Sequence, residues 1–159
     1  MKLEKFGEND FSDYFRLVNN EKVMEMITER SLPLEEAKDY FKEVIENNLI
    51  DPSFGRFKIL DAESNKFIGL AKLEIEDKNS NRAELGYMIL PEYWGKGIGS
   101  YVAKQLLETA KTQKSINNVF AIIDPKNEAS RKILINNGFV SKELKDLDGL
   151  PCEILEVKI

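Results

Sequence analysis

The sequence predicts a single mixed α/β domain, its elements in the order β-α-α-α-β-β-β-α-β-α-β-β. Three observations carry this reading. Helical periodicity over roughly the first fifty residues gives way at Phe54 to the alternation of strands. Three strand-like runs then follow one another with short polar connections, as in a meander. Beyond a glycine-rich segment the chain alternates between helix and strand again. No internal repeat, low-complexity tract or Pro/Gly/Ser linker interrupts the 159 residues, so one domain over 1–159 is expected.

KLEKF, near the start, reads as a short strand. Asn9 or Asp10 can cap a helix carrying Phe11, Phe15, Leu17 and Val18, and EKVMEMIT is a second short helical segment. The next stretch, SLPLEEAKDYFKEVIENN, opens on Ser31 with Glu35 following and puts Ala37, Tyr40, Phe41, Val44 and Ile45 on one face at helical spacing. FGRFKIL and KFIGLAKLEIE are strands; in the latter Phe67, Gly69, Ala71, Leu73 and Ile75 alternate with Lys72, Glu74 and Glu76. DKNSN turns the chain into RAELGYMIL, whose poor alternation predicts burial on both faces, and Pro91 ends that strand because it lacks an N–H.

Ile98, Val102, Leu106, Leu107 and Ala110 then mark a helix, and NVFAIID a short apolar strand. PKNEASRKILINNGF is a helix with Asn127 as cap and Gly138 at its left-handed stop. FVSKEL and CEILEVKI close the chain as two strands turning at Asp148-Gly149.

Composition removes whole classes of chemistry. The chain has no histidine and a single cysteine, which excludes a histidine zinc site, a Ser-His-Asp triad and an intrachain disulfide. Twenty-eight acids against 23 bases give a net charge of −5, which argues against a nucleic-acid surface and mildly favours an amine-bearing partner. No apolar run approaches the roughly 20 residues of a membrane span, and MKLEKFGEND lacks the apolar centre of a signal peptide, so a cytoplasmic location is expected, with no membrane partner. No metal is expected.

Three of nine glycines fall within LPEYWGKGIGSYV, between a strand and a helix. Such a turn leaves several backbone N–H groups without partners at the positive end of a helix, which suits an anion. Glycine admits positive φ and lets a phosphate approach the backbone. A tight turn packed closely on a strand would use the same residues. GxxxxGKS and GxGxxG are both absent, so the segment is neither of those phosphate binders.

Taken with NVFAIID and NEASRKILINNGF downstream, the segment resembles the GNAT superfamily of acetyl-coenzyme-A-dependent N-acetyltransferases. The signature at the start of that family's central helix falls on Trp94, Gly97 and Gly99, with Trp94 replacing the usual glutamine or arginine; a second block falls on Asn127, Ser130, Gly138 and Phe139. YWGKGIG is similar to the branch that acetylates ribosomal-protein N-terminal alanines and its small-molecule relatives.

The resemblance implies a central, mixed but mostly antiparallel sheet of about seven strands, flanked by about four helices and splayed in the middle, where RAELGYMIL parts from NVFAIID. The pantetheine arm would lie in that gap along the backbone of Met88, Ile89 and Leu90. The diphosphate would sit on Gly95, Lys96, Gly97, Ile98, Gly99 and Ser100, with Asn127, Ser130 and Arg131 contributing from the last helix. Gly97 and Gly99 would form the cradle itself, Gly95 easing the turn after Pro91. A neutral amine would attack the thioester directly, while a backbone N–H near Met88 or Ile89 stabilises the oxyanion. Glu84, four residues before Met88 on the same strand, would be the base, although a salt-bridged surface glutamate would look the same.

Leu134 stands where many members carry a tyrosine acid. Ser130 and Asn127 lie nearest that place, and both also read simply as helix-surface hydroxyl and helix cap. Cys152 reads as a core residue, Tyr87, Tyr93 and Trp94 as packing, and Tyr14, Phe15 and EKVMEMIT as walls of an acceptor pocket. The implied partners are acetyl-coenzyme A and a small-molecule or peptide amine, and the terminal strands could pair across a homodimer. A non-catalytic acyl-coenzyme-A-binding module and an ATP-phosphate binder remain alternatives.

Overall fold

A computed structural model describes residues 1–159. The first half of the chain runs β1 (Lys2–Lys5), α1 (Phe11–Val18), α2 (Glu21–Met24), α3 (Leu34–Asn47), β2 (Gly55–Leu60), β3 (Phe67–Glu74) and β4 (Arg82–Ile89). The second half runs α4 (Ile98–Lys111), β5 (Asn118–Ile123), α5 (Glu128–Asn136), β6 (Val140–Leu147) and β7 (Leu150–Lys158). The seven strands form one sheet in the order β1-β2-β3-β4-β5-β7-β6. Every neighbouring pair is antiparallel except β4 and β5, which the α4 crossover makes parallel. The element types are those the periodicities predict, and the mixed, mostly antiparallel sheet is the one the family resemblance implies. No helix is long and apolar enough to cross a membrane.

Because successive strand residues point to opposite faces, the sheet carries two apolar cores. Leu73 and Leu85 face α4 and α5, packing with Val102, Leu106 and Leu155. Leu70 and Leu90 face the N-terminal helices, with Leu17, Val18 and Phe41. Each such leucine contributes about 1.5–3 kcal/mol by leaving water. Phe6 anchors the second core, edge-on to Tyr14, Phe41 and Phe67 at centroid distances of 6.2, 6.3 and 6.1 Å.

Local chemistry departs from expectation in four places. Asp10 is the N-cap position of α1, yet its carboxylate accepts from Gly7 N–H and from Lys58 Nζ instead of capping. EKVMEMIT is helical only to Met24, because Ile27, Thr28 and Glu29 all donate to the Met24 carbonyl and Glu29 turns to φ 64°. Pro33, rather than Ser31, precedes α3, its fixed φ of −68° starting the helix without a side-chain cap. In β4 only Ala83 and Leu85 are buried; residues 86–89 are half-buried, because they face a cleft.

Two polar contacts hold the frame around that cleft. At the C-terminal end of α3, buried Asn48 donates to the Phe6 and Arg56 carbonyls (3.1 Å each) and accepts from Arg56 N–H (2.7 Å), tying α3 to β1 and β2. Gly55, at φ 145°, has no room for a Cβ beside the Asn48 amide. On the other side Arg131 of α5 donates to the Glu153 carboxylate of β7 from Nε (2.9 Å) and to the Pro125 carbonyl (2.9 Å). The Arg131 hydrogen bond holds the Glu153 carboxyl below its ordinary value, against the opposing effect of burial.

Asn48→Ala leaves the Phe6 carbonyl and Arg56 N–H without this partner, the Arg56 carbonyl keeping Phe6 N–H, and should destabilise the fold by about 2–3 kcal/mol in urea unfolding; a loss under about 0.5 kcal/mol would show that water replaces the amide. A lowered native carboxyl makes stability fall as pH drops from about 4.3 through the native value. Unfolding at stepped pH should therefore show the wild type losing more stability over that window than Glu153→Gln; identical slopes would refute the assignment.

Candidate active site

The parallel pairing of β4 and β5 lasts only three residues, Arg82 to Glu84 against Asn118 to Phe120. The joint is clasped by Asn117 N–H on the Asn81 carbonyl and by the Arg82 guanidinium, 4.1 Å from the Phe120 ring centroid. Beyond it the strands part. β4 stays paired with β3 as far as Ile89, and β5 with β7 as far as Ile123. Asn81 O faces β5 and Leu90 N–H bonds Ile68 O on β3, so alternation turns the backbone groups of Tyr87 and Ile89 into the gap and those of Met88 toward β3.

A cavity of about 310 Å³ runs through the gap. On one side it is walled by Tyr14, Met24, Met26 and Ile27, and on the other by Asn127, Ser130 and Leu134. Phe15 packs behind this wall, in the core beside Phe11. The floor is a charged row across three strands. Lys72 Nζ lies 2.6 Å from Glu84 Oε2, and Arg56 Nε lies 2.9 Å from Glu74 Oε2. Lys72 reaches Glu84 because Gly86, its register partner, has no side chain to block the path. Glu84 Oε1 makes no hydrogen bond.

At the far end of β4 the chain enters a short turn at Pro91–Tyr93 and then the glycine segment. Trp94 N–H bonds to Pro91 O and Tyr101 N–H to Gly97 O; none of the N–H groups from Gly95 to Ser100 has an acceptor in the protein. Gly95 and Gly97 sit at φ 75° and 78° with open space where a Cβ would be, so both make the left-handed turn that exposes these donors. Gly99 has a different reason to be glycine: a Cβ there would press on Tyr87, Ile133 and Ile89 at 3.2–3.6 Å. Gly95 and Gly97 therefore make the left-handed turn, whereas Gly99, whose N–H is also unbonded, is held to glycine by packing. Ile98, the first residue of α4, is buried, Lys96 extends over the Tyr93 ring at 5.7 Å, and Ser100 is exposed.

The remaining candidates divide. Asn127 caps α5, its Oδ1 accepting from Ser130 N–H at 3.1 Å, and both residues line the cavity. Met88 lines it with its side chain. Ile89 offers its N–H to the gap, but its carbonyl already accepts from the Trp94 indole at 2.7 Å. Leu90 is buried with its N–H bonded to β3, and Arg131 is engaged by Glu153 and the Pro125 carbonyl through Nε and Nη2.

Tyr87, read from sequence as packing, donates its hydroxyl to Ser130 Oγ at 3.2 Å across the divergence of the strands. Burial pushes its phenol above the ordinary value, only partly offset by that hydrogen bond, so it carries a proton at neutral pH. Tyr14, also raised by burial, has a hydroxyl without a partner at the cavity wall. The pairing of Lys72 with Glu84 was within reach of the alternation of the two strands and the small Gly86. The Tyr87 contact was not, since it joins residues 43 positions apart.

Residues 1–140 match the family model described as Acetyltransferase (GNAT) domain. The spermidine N(1)-acetyltransferase of Escherichia coli K12 is 28% identical over 139 residues, covering 87% of this chain and 72% of that protein. The solved spermidine N-acetyltransferase of Vibrio cholerae, in complex with CoA and spermine, superposes with a TM-score of 0.80 at 20% identity, over 99% of this chain and 94% of that one. The RimL ribosomal alpha-N-protein acetyltransferase, in complex with coenzyme A, does so with a TM-score of 0.77 at 18% identity, over 99% and 93%. Relatives with different acceptors thus match the fold about equally, and no single branch, the ribosomal one included, is singled out. With the splayed strands, the free N–H run and a family match over most of its length, this chain belongs to the GNAT acetyltransferases.

Proposed function

We propose that the protein transfers an acetyl group from acetyl-coenzyme A to a primary amine, on a protein N terminus or a small molecule, by direct attack while both are bound. The observation that carries this reading is the coincidence of an unpaired β4 edge with a run of unbonded N–H groups at that strand's end. One is suited to an extended amide-bearing chain and the other to an anion, in the order in which they occur along coenzyme A. Acetyl-coenzyme A supplies a thioester carbonyl when bound. Gly95 to Ser100 would hold its diphosphate through backbone donors, with Lys96 at the rim.

The chain's own groups meet the three demands of acyl transfer. Glu84 receives the proton of the attacking amine, directly or through water; Lys72 fixes one carboxylate oxygen and leaves the other free. Ile89 N–H, facing the gap, meets the charge that develops on the carbonyl oxygen. Tyr87, its proton retained by burial and its hydroxyl set on Ser130, delivers a proton to the departing sulfur, the task that Leu134 cannot perform. Met88 contributes an apolar wall, and Asn127 fixes the turn of α5 that carries Ser130. The N-terminal amine of a ribosomal protein is one source of acceptor within this proposal.

Gly97→Trp should fill the open side of the turn and raise the coenzyme A Kd at least about tenfold in calorimetry, while the strained φ costs about 1–2 kcal/mol of stability; unchanged affinity would remove the cradle from the proposal. Glu84→Gln should lower kcat about 100-fold in a free-thiol assay with acetyl-coenzyme A and an amine panel, with coenzyme A binding intact. Undiminished activity across the pH range would displace Glu84 as base. Tight coenzyme A binding without thiol release on any amine would favour a non-catalytic module.

A further inference from the structure

The sequence is acidic overall, yet its acids are almost absent from the cleft. Among the 22 residues lining the cavity, Glu84 is the sole carboxylate, against two cations, Arg56 and Lys72. Lys72 already holds one Glu84 oxygen, and Arg56 is balanced by Glu74, which lies outside the lining. A ligand with several positive charges entering here would meet two fixed cations and one carboxylate that is already shared. In a partly desolvated cleft that juxtaposition is repulsive, and no second acid within this cavity offsets it; the next carboxylates, Glu74 and Glu76, line an adjoining hollow that shares Glu84, and Glu74 there is engaged by Arg56.

Fifteen of the 22 lining residues are hydrophobic. The side toward the N-terminal helices is built from Val18, Met24, Met26, Ile27, Leu32 and Met88. Three of the chain's four methionines are among them, and their unbranched thioethers adapt to varied apolar shapes. The hydroxyl of Tyr14, at the cavity wall, has no hydrogen bond in the protein and can serve one polar atom of a bound molecule.

Resting on the acetyl-transfer reading, we infer that the acceptor is a primary amine of single positive charge on an apolar aliphatic or aromatic body, and not a polycation. One ammonium is what Glu84 can receive, and the rest of the molecule would lie against the methionine wall. A small arylalkylamine and a peptide with an apolar first residue share this chemistry.

The test uses the intact protein with acetyl-coenzyme A and follows free thiol with 2-phenylethylamine, hexylamine, a Met-Leu-headed peptide, spermidine and tobramycin. At least one apolar monoamine should exceed spermidine and tobramycin in kcat/KM by at least about tenfold, and comparison of the peptide with the small amines identifies the source. Met26→Glu, which adds a carboxylate to the wall outside the reacting groups, should narrow that ratio. In parallel, thermal shifts of the coenzyme-A-loaded protein should be larger with the monoamines than with spermidine. Equal or better turnover or stabilisation with spermidine or tobramycin overturns the inference. Absence of thiol release with every amine, despite coenzyme A binding, overturns acetyl transfer instead, and the thermal shifts still decide the ligand class.

Discussion

The short parallel contact between β4 and β5 is the constraint on which the rest of the molecule depends. Each strand is held along its length by an antiparallel neighbour, β4 by β3 and β5 by β7, and the two share three residue pairs. Sheet twist accumulates within each half, and three pairs are too few to force both to follow one surface. Arg82, stacked on Phe120 and bridging to Glu156, closes one end of the joint. The other end opens into the cleft. An edge of this kind would be a hazard on the outside of a protein; here it lies between helices, where only a ligand of suitable width can pair with it.

The two cores divide the work around that opening. The face carrying α4 and α5 supplies the N–H run, the α5 cap and the Tyr87–Ser130 contact. The face carrying α1 to α3 supplies the apolar wall and rests on Asn48, which spans β1, β2 and α3 with three hydrogen bonds. Glu84 sits where the two halves meet, held on the floor by Lys72. The chemistry is thereby assembled from elements far apart in the chain, each oriented by its own side of the sheet.

Glycine serves three separate purposes within this arrangement. Gly95 and Gly97 provide the left-handed turn, Gly99 lets α4 approach Tyr87 and Ile89, and Gly86 clears a path for Lys72. The same residue type answers to conformation in the first case and to packing in the other two. The Trp94 indole on the Ile89 carbonyl adds a related local solution, closing one acceptor at the gap's rim where the family signature carries glutamine or arginine.

Periodicity determined the element types and the place of the glycine turn, because the pattern of apolar residues reports which face of a helix or strand leaves water. Motif spacing carried the family resemblance and offered Asn127 and Ser130 as candidates, and strand alternation from Met88 offered Glu84. Only the tertiary structure decided which glycines make the left-handed turn and which is required by packing, since φ and open space at Gly95, Gly97 and Gly99 depend on what packs against each. It also separated Ile89, which faces the gap, from Leu90 and Arg131, which are bonded elsewhere. The Tyr87 hydroxyl and the acid-poor lining were hidden for the same physical reason: both arise where strands and helices remote in sequence converge, and net composition averages over surfaces that the fold keeps apart.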